Sequence, residues 1–157
     1  MGATGKAAVF LGPGKGYDVQ EFPVPDPEPG GIVIKVTYGG ICGSDLHIWR
    51  GDSPMFAMMA GNVAGHEMTG RVHSLGAGIT TDSLGRPLKE GDRVAYAYFY
   101  PCHRCYNCNK AEFASCPNKL LTMGPSISKF SGAYGEYYYL KPGGWIFKIP
   151  DQVPDEV

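Results

Sequence analysis

Cys102-x2-Cys105-x2-Cys108-x7-Cys116 gathers four thiols on one short stretch of chain. Zinc favours tetrahedral sulfur ligation, and a site closed by four thiolates has no vacant position for a substrate, so its role is structural. Two-residue gaps let successive sulfurs turn onto one ion, and the longer gap lets the chain loop round to supply the fourth. In such a site metal binding and loop folding are one event. Iron–sulfur proteins offer a rival pattern, C-x2-C-x2-C-x3-C-P, and Pro117 does follow Cys116. The seven-residue final gap departs from it, so zinc is the better reading. An odd count of five cysteines, four of them clustered, also does not suit a secreted disulfide framework. His103 lies inside the loop, but four thiolates already complete the shell, and it reads as a solvated loop residue.

A second group is spread more widely. Cys42 opens Cys42-Gly43-Ser44-Asp45-Leu46-His47, and Gly65-His66-Glu67 follows later. Singly, Cys42 reads as a small buried hydrophobe and His66 as an ordinary histidine. His66-Glu67 is not the metalloprotease motif, because position 70 is glycine. Taken together, one thiolate, one imidazole and one carboxylate supply three zinc ligands and leave one position open, the catalytic arrangement. Asp45 is expected to orient the His66 ring. Ser44 and His47 add a hydroxyl and an imidazole, the parts of a proton relay.

The elements that must hold these residues are mostly strands. Lys6–Leu11 is a short apolar run, followed by a Gly12-Pro13-Gly14-Lys15-Gly16 turn and a strand-like Tyr17–Phe22. That turn lacks the G-x-G-x-x-G spacing and does not open a helix, so it is not a dinucleotide fingerprint. Ile32–Tyr38 alternates, with Ile32, Ile34, Val36 and Tyr38 on one face and Val33, Lys35 and Thr37 on the other. Glu67–Leu75, Asp92–Tyr98, Tyr134–Leu140 and Trp145–Ile149 are further predicted strands, and Thr80–Glu90 a polar surface hairpin or loop. Two short helices are expected, over Gly43–Trp49 and Lys110–Ser115. The last residues, Pro150–Val157, read as a polar linker.

Composition agrees with this picture. The 157 residues suit one domain, and 23 glycines with 13 prolines exclude a mostly helical chain. With 43% hydrophobic and 18% charged residues the chain is too apolar for disorder. A net charge of −1 gives no electrostatic footprint for nucleic acid and no polybasic membrane patch. No apolar run approaches the ~20 residues of a membrane span. The first residues lack the apolar core of a secretory signal, so a cytoplasmic location is expected.

The motifs together resemble the zinc-dependent medium-chain alcohol dehydrogenase family. The resemblance covers nearly the whole chain. It is carried by Cys42-Gly43-Ser44-Asp45-x-His47, Gly61-x3-Gly65-His66-Glu67-x2-Gly70, Gly91-Asp92-Arg93-Val94, the cysteine loop, and Gly132-Ala133-Tyr134-Gly135-Glu136-Tyr137. It implies a mainly β, GroES-like fold over residues 1–157: a partly open β-barrel with a few short helices and a zinc-binding loop. It implies Cys42 and His66 as catalytic zinc ligands, with Glu67 a direct ligand in some members and a residue behind the ligands in others. It also implies that Ser44 takes the alcohol proton and His47 passes it on, and that Cys102, Cys105, Cys108 and Cys116 hold a structural zinc. Trp49 and Tyr98 fall where the family lines its substrate pocket. Family members continue into a Rossmann domain that binds NAD or NADP, and many carry a further zinc ligand shortly after the position of Pro150-Asp151. No G-x-G-x-x-G strand–turn–helix unit occurs in these residues. The implied function is therefore the zinc-bearing half of an enzyme that oxidises an alcohol to an aldehyde or ketone, possible homo-oligomerisation included. The rival class is a non-catalytic zinc module, which would need the cysteine loop but not the Cys42, Ser44, His47 and His66 constellation.

Overall fold

Alternation in the first strand, β1 (Thr4–Phe10), buries Gly5, Ala7 and Val9 and exposes Thr4 and Lys6. The computed structural model describes residues 2–118 and 127–154. Met1 and the last three residues of the expected Pro150–Val157 linker lie outside them. β1 pairs antiparallel with β2 (Tyr17–Pro23). It also reaches the main sheet, where the Ala8 N–H donates to the Tyr134 carbonyl at 2.8 Å and the Glu136 N–H to that of Lys6 at 2.8 Å.

The main sheet has five antiparallel strands. These are β3 (Ile32–Gly39), β4 (Met68–Leu75), β5 (Arg93–Tyr96), β6 (Tyr137–Leu140) and β7 (Ile146–Lys148), in the order β6-β3-β4-β5-β7. β6 and β7 are its two edges and do not pair with each other, so the curved sheet stays open there. The expected mainly β, partly open fold with few short helices is thus what the chain adopts.

Both faces of the sheet are covered. Ile32, Ile34, Val72, Val94, Tyr138, Leu140 and Ile146 pack on one side. Ala7, Val9, Val33, Val63, Phe130, Tyr137 and Tyr139 pack on the other. The expected alternation of Ile32–Tyr38 therefore does not divide core from solvent. Val33 is fully buried because β1 and Phe130 cover its face, while Tyr38, at the strand's end, is exposed. Register shifts between Val33 and Ile34 and between Val36 and Tyr38 re-aim the strand's end. Tyr137 to Leu140 are all buried, as expected of a strand covered on both faces.

The polar segment after β4 is a hairpin, with Thr81 bridging Pro87. It is more than a surface loop. Asp82 is buried, and its carboxylate accepts from the N–H groups of Leu84, Arg86 and Lys148 and from Arg86 Nε at 2.8–3.0 Å. Burial alone would raise its pKa, but these donors outweigh burial and hold it well below the usual carboxylate range. The hairpin is thereby fastened to β7.

Helices are few and short. α1 (Gly43–Arg50) lies where expected. The expected Lys110–Ser115 helix is absent. In its place α2 (Tyr106–Asn109) comes earlier, and a single 3₁₀ turn covers Phe113–Ser115. Ala111 has φ +59 between them, so the chain cannot run on as one helix. A further 3₁₀ turn, Pro54–Met59, was not expected from the sequence. Among the described residues no helix is long and apolar enough to cross a membrane.

Candidate metal centres

The cysteine loop converges as its spacing predicts. Cys105 is the N-cap of α2 and Cys108 lies inside that turn. Cys116 follows the 3₁₀ turn, and the Cys102 N–H donates to its sulfur at 3.4 Å. The four sulfurs all lie within 4.8 Å of one another. Cys105 and Cys116 are 3.9 Å apart, close to the ~3.8 Å that two sulfurs at ~2.3 Å from one tetrahedral zinc must show.

The electrostatics of the bare loop ask for a cation. The Asn118 side chain donates to Cys102 Sγ at 3.3 Å. That bond, with the N–H groups of Arg104 and Cys105, brings the Cys102 thiol down to about 5. Cys108 is buried among the other sulfurs and is pushed up to about 12. Four clustered thiolates repel each other unless a cation joins them, so the protons are shared unequally. Asn118 was not singled out in the sequence, since an amide two residues past a ligand carries no signal of its own. His103 is exposed and outside the group of four, as expected. Its ring packs at a tilt against Phe113 and edge-on against Trp145, which fastens the loop to the start of β7.

The second centre is assembled from distant segments. Cys42 is the N-cap of α1, in extended conformation, and its sulfur lies 3.5 Å from His66 Nε2. A thiolate and an imidazole on one tetrahedral zinc would stand about 3.6 Å apart. Glu67 completes a group whose ligand atoms also all lie within 4.8 Å of one another. Ser44 Oγ is 2.9 Å from Cys42 Sγ. Both donor sets therefore fit zinc in chemistry and spacing, one with four ligands and one with three.

Local structure explains the approach of Cys42 and His66. Asp45 is buried, and its Oδ2 accepts the Cys42 N–H at 2.9 Å, which fixes the start of α1. The expected Asp45–His66 contact is not formed, because the carboxylate turns to its own helix terminus. The Asp45 carboxylate and the Tyr134 hydroxyl are buried together. Burial, and then the neighbouring Asp45 carboxylate, by hydrogen bonding and by its charge, hold the Tyr134 phenol well above its usual range. Tyr134 also lies against Gly65, the residue before His66. Gly65 has φ +87, and a Cβ there would come within 2.9 Å of the Tyr134 ring and 2.8 Å of Ala133 Cβ. Only glycine lets the chain turn that closely and deliver His66. One tyrosine thus borders both ligand-bearing segments.

Tyr98 leaves the sheet after β5 and packs on the His66 ring, with centroids 4.7 Å apart. Trp49 stands half exposed on the last turn of α1, with no aromatic partner among the described residues. Ser44 and His47 are three residues apart on the exposed face of α1, where they are neighbours. His47 Nδ1 lies 2.5 Å from Asp52 Oδ2.

Comparison with known proteins agrees with this geometry. The alcohol dehydrogenase GroES-like domain matches residues 28–151. The chain is 35% identical over 151 residues to 5-exo-hydroxycamphor dehydrogenase of Pseudomonas putida, covering 96% of this chain and 41% of that protein. It is 35% identical over 153 residues to L-threonine 3-dehydrogenase of Stenotrophomonas maltophilia, covering 97% and 42%. Among solved structures, an alcohol dehydrogenase from Thermotoga maritima superposes with a TM-score of 0.85 at 26% identity, covering 98% of this chain and 42% of that one. Acetophenone reductase from Geotrichum candidum in complex with NAD gives a TM-score of 0.74 at 29% identity, again covering 98% and 42%. The chain spans about two fifths of the length of these relatives.

Proposed function

The chain belongs to the medium-chain alcohol dehydrogenase family through its GroES-like domain, and from that premise we propose that it is the zinc-bearing part of an NAD(P)-linked alcohol dehydrogenase. The observation that carries this reading is the three-ligand group of Cys42, His66 and Glu67 at zinc-ligand spacing, with Ser44 beside it. A closed four-cysteine centre in the same domain has the complementary, structural role. Its sulfur spacing supports that assignment.

Zinc held by Cys42, His66 and Glu67 would supply Lewis-acid polarisation of an alcohol or carbonyl oxygen. The chain's own residues do the rest of the work on this side of the reaction. The Ser44 hydroxyl accepts the alcohol proton, and His47, on the same exposed helix face, receives it and releases it to solvent. Tyr98, stacked on His66, forms one wall of the substrate pocket, and Trp49 lies at its rim. A nicotinamide, bound as in its relatives by a cofactor domain, would supply the hydride acceptor. Relatives of known structure bind NAD, NADH or NADP, which supports a nicotinamide acceptor without choosing between the two kinds. The substrate is a small alcohol, or in reverse its aldehyde or ketone. The protein is on this reading a cytoplasmic enzyme that acts on small molecules and assembles as a homo-oligomer, and the net charge of −1 supports its having no nucleic-acid partner.

The test uses cobalt in place of zinc. The thiolate-to-cobalt and d–d bands of the open centre should shift when a secondary alcohol or its ketone is added, and this response should vanish in Cys42→Ser. Bands that ignore the ligand, or that persist unchanged in Cys42→Ser, would contradict the proposed function.

A further inference from the structure

Asp52 follows α1 and is not among the residues that the zinc reading uses. On a continuing helix, a residue five positions after His47 would sit well round the cylinder, roughly 140° away at 3.6 residues per turn. The helix instead ends at Gly51, whose φ of +77 and ψ of +34 are left-handed. The N–H groups of Gly51 and Asp52 both turn back onto the His47 carbonyl, at 3.0 and 3.1 Å. This reversal returns the Asp52 side chain to the His47 ring.

The turn is clamped from outside. A Cβ on Gly51 would come within 2.6 Å of Pro13 Cβ, so the β1–β2 turn packs directly on the cap. The Gly14 N–H donates to the Trp49 carbonyl at 2.9 Å and ties that turn to the helix end. The pair is therefore held in place by backbone, although His47 and Asp52 side chains are 59% and 44% exposed.

We propose that Asp52 is the positioning residue of His47, holding the ring in its Nδ1–H tautomer so that Nε2 is the free acceptor. A carboxylate offers only acceptors, so the proton of the 2.5 Å contact resides on Nδ1, which donates to Asp52 Oδ2. The opposite ring nitrogen, Nε2, then carries the lone pair. This rests on the dehydrogenase reading for its purpose. The substrate proton arriving by way of Ser44 binds Nε2, the imidazolium so formed faces the Asp52 carboxylate, and the same proton leaves from Nε2 to water. Only O–H and N–H bonds change, and Nδ1–H stays with Asp52 throughout. A carboxylate behind a histidine does the same orienting work wherever an imidazole must accept at one defined nitrogen.

The experiment reads the tautomer itself. Long-range nitrogen–proton NMR correlations of the imidazoles are recorded on the zinc-loaded, nitrogen-15-labelled chain at about pH 9, where ordinary imidazoles are neutral. The His47 signals are assigned by their loss in His47→Gln. His47 should give the Nδ1–H pattern. In Asp52→Ala the ratio of Nδ1–H to Nε2–H should fall by roughly tenfold, the size of an ordinary charge-assisted hydrogen bond. Asp52→Asn, whose amide oxygen still accepts, should restore most of it. A purely structural aspartate would not produce that order. An Nε2–H pattern in the unaltered chain, or a ratio unmoved by Asp52→Ala, would overturn the inference. The measurement needs no alcohol and no cofactor. Its failure would leave the cobalt response of the open centre intact, and a silent cobalt centre would leave the tautomer result intact.

Discussion

The two metal centres of this chain are built in opposite ways. The closed centre takes all four ligands from residues 102–116, a stretch with almost no core of its own. The open centre takes Cys42 from a helix N-cap, and His66 and Glu67 from the approach to β4, and every one of these segments is already held by the sheet and its two cores. In the first, the ion organises the chain. In the second, the chain organises the ion. Binding energy is folding energy only where no site exists without the metal. The closed centre should therefore dominate stability, and the open one should be free to exchange ligands.

The largest expected effect follows directly. Cys105→Ser should lower the stability of the chain by about 5 kcal/mol, a fraction of the ~10–16 kcal/mol that structural zinc contributes in small domains. Cys42→Ser should remove the open-site metal and lower stability by only ~1 kcal/mol, since its segment stays packed. Thermal melts of the two variants, each with its metal content measured, check the order. The reverse ranking would mean that the roles of the two centres have been exchanged.

Asp82 sharpens the comparison, because it anchors the neighbourhood of the cysteine loop without metal. It fastens the 80–88 hairpin to β7, and Trp145 just before β7 packs edge-to-face with Phe113 of the loop, centroids 4.8 Å apart. Asp82→Asn should lower stability at neutral pH by about 3 kcal/mol, as for a buried ion pair losing one partner. Its folded-state pKa lies below the unfolded one, so the contribution is complete above about pH 4 and is lost as pH falls through the folded value. Denaturant melts between neutral and acid pH should show the two proteins converging at the acid end. The metal content should stay at two ions per chain. Loss of the loop metal in Asp82→Asn would mean that the hairpin, and not the ion, sets the loop.

A smaller effect concerns turnover by the open centre alone. The 157-residue chain should reduce no NAD⁺ or NADP⁺ with primary or secondary alcohols at an enzyme's usual rate. Hydride transfer needs donor and acceptor held at ~3–3.5 Å, and the sequence has no G-x-G-x-x-G strand–turn–helix unit to hold a nicotinamide there. A nicotinamide absorbance assay on chain of confirmed mass checks this. Robust turnover would mean that a cofactor site lies within the chain.

The contrast between the centres also explains what could be read from the sequence. Ligands that come from one short stretch announce themselves by spacing, and the four cysteines converge as that spacing required. Cys42 and His66 are separated by a helix and a 3₁₀ turn, and only the chemistry of the set, and then the family resemblance, joined them. The expected strands recur nearly in place, though β5 stops at Tyr96 and frees Tyr98 to meet His66, and β6 begins only at Tyr137. Residues 134–136 pair with β1 instead, a long-range choice with no local signature. The Lys110–Ser115 helix was misplaced because the four sulfurs dictate the path of that loop more strongly than helix propensity does. Asp45 and Asp82 read as polar surface or ligand-orienting residues. Each is buried to satisfy backbone N–H groups, a role set by the tertiary fold. Asp52 gave no signal, because the cap that returns it to His47 is a matter of one glycine and of Pro13 packed against it.

Graded chelation with a metal count at each step tests the central claim most directly. The chain should start with two zinc ions. The first to leave should be the one missing from Cys42→Ser, and the far-ultraviolet and aromatic spectra should stay native until the second leaves. A chain that holds one ion from the start, releases both together, or unfolds with the first ion lost would contradict the division of labour between a closed centre that folds the loop and an open one that meets the substrate.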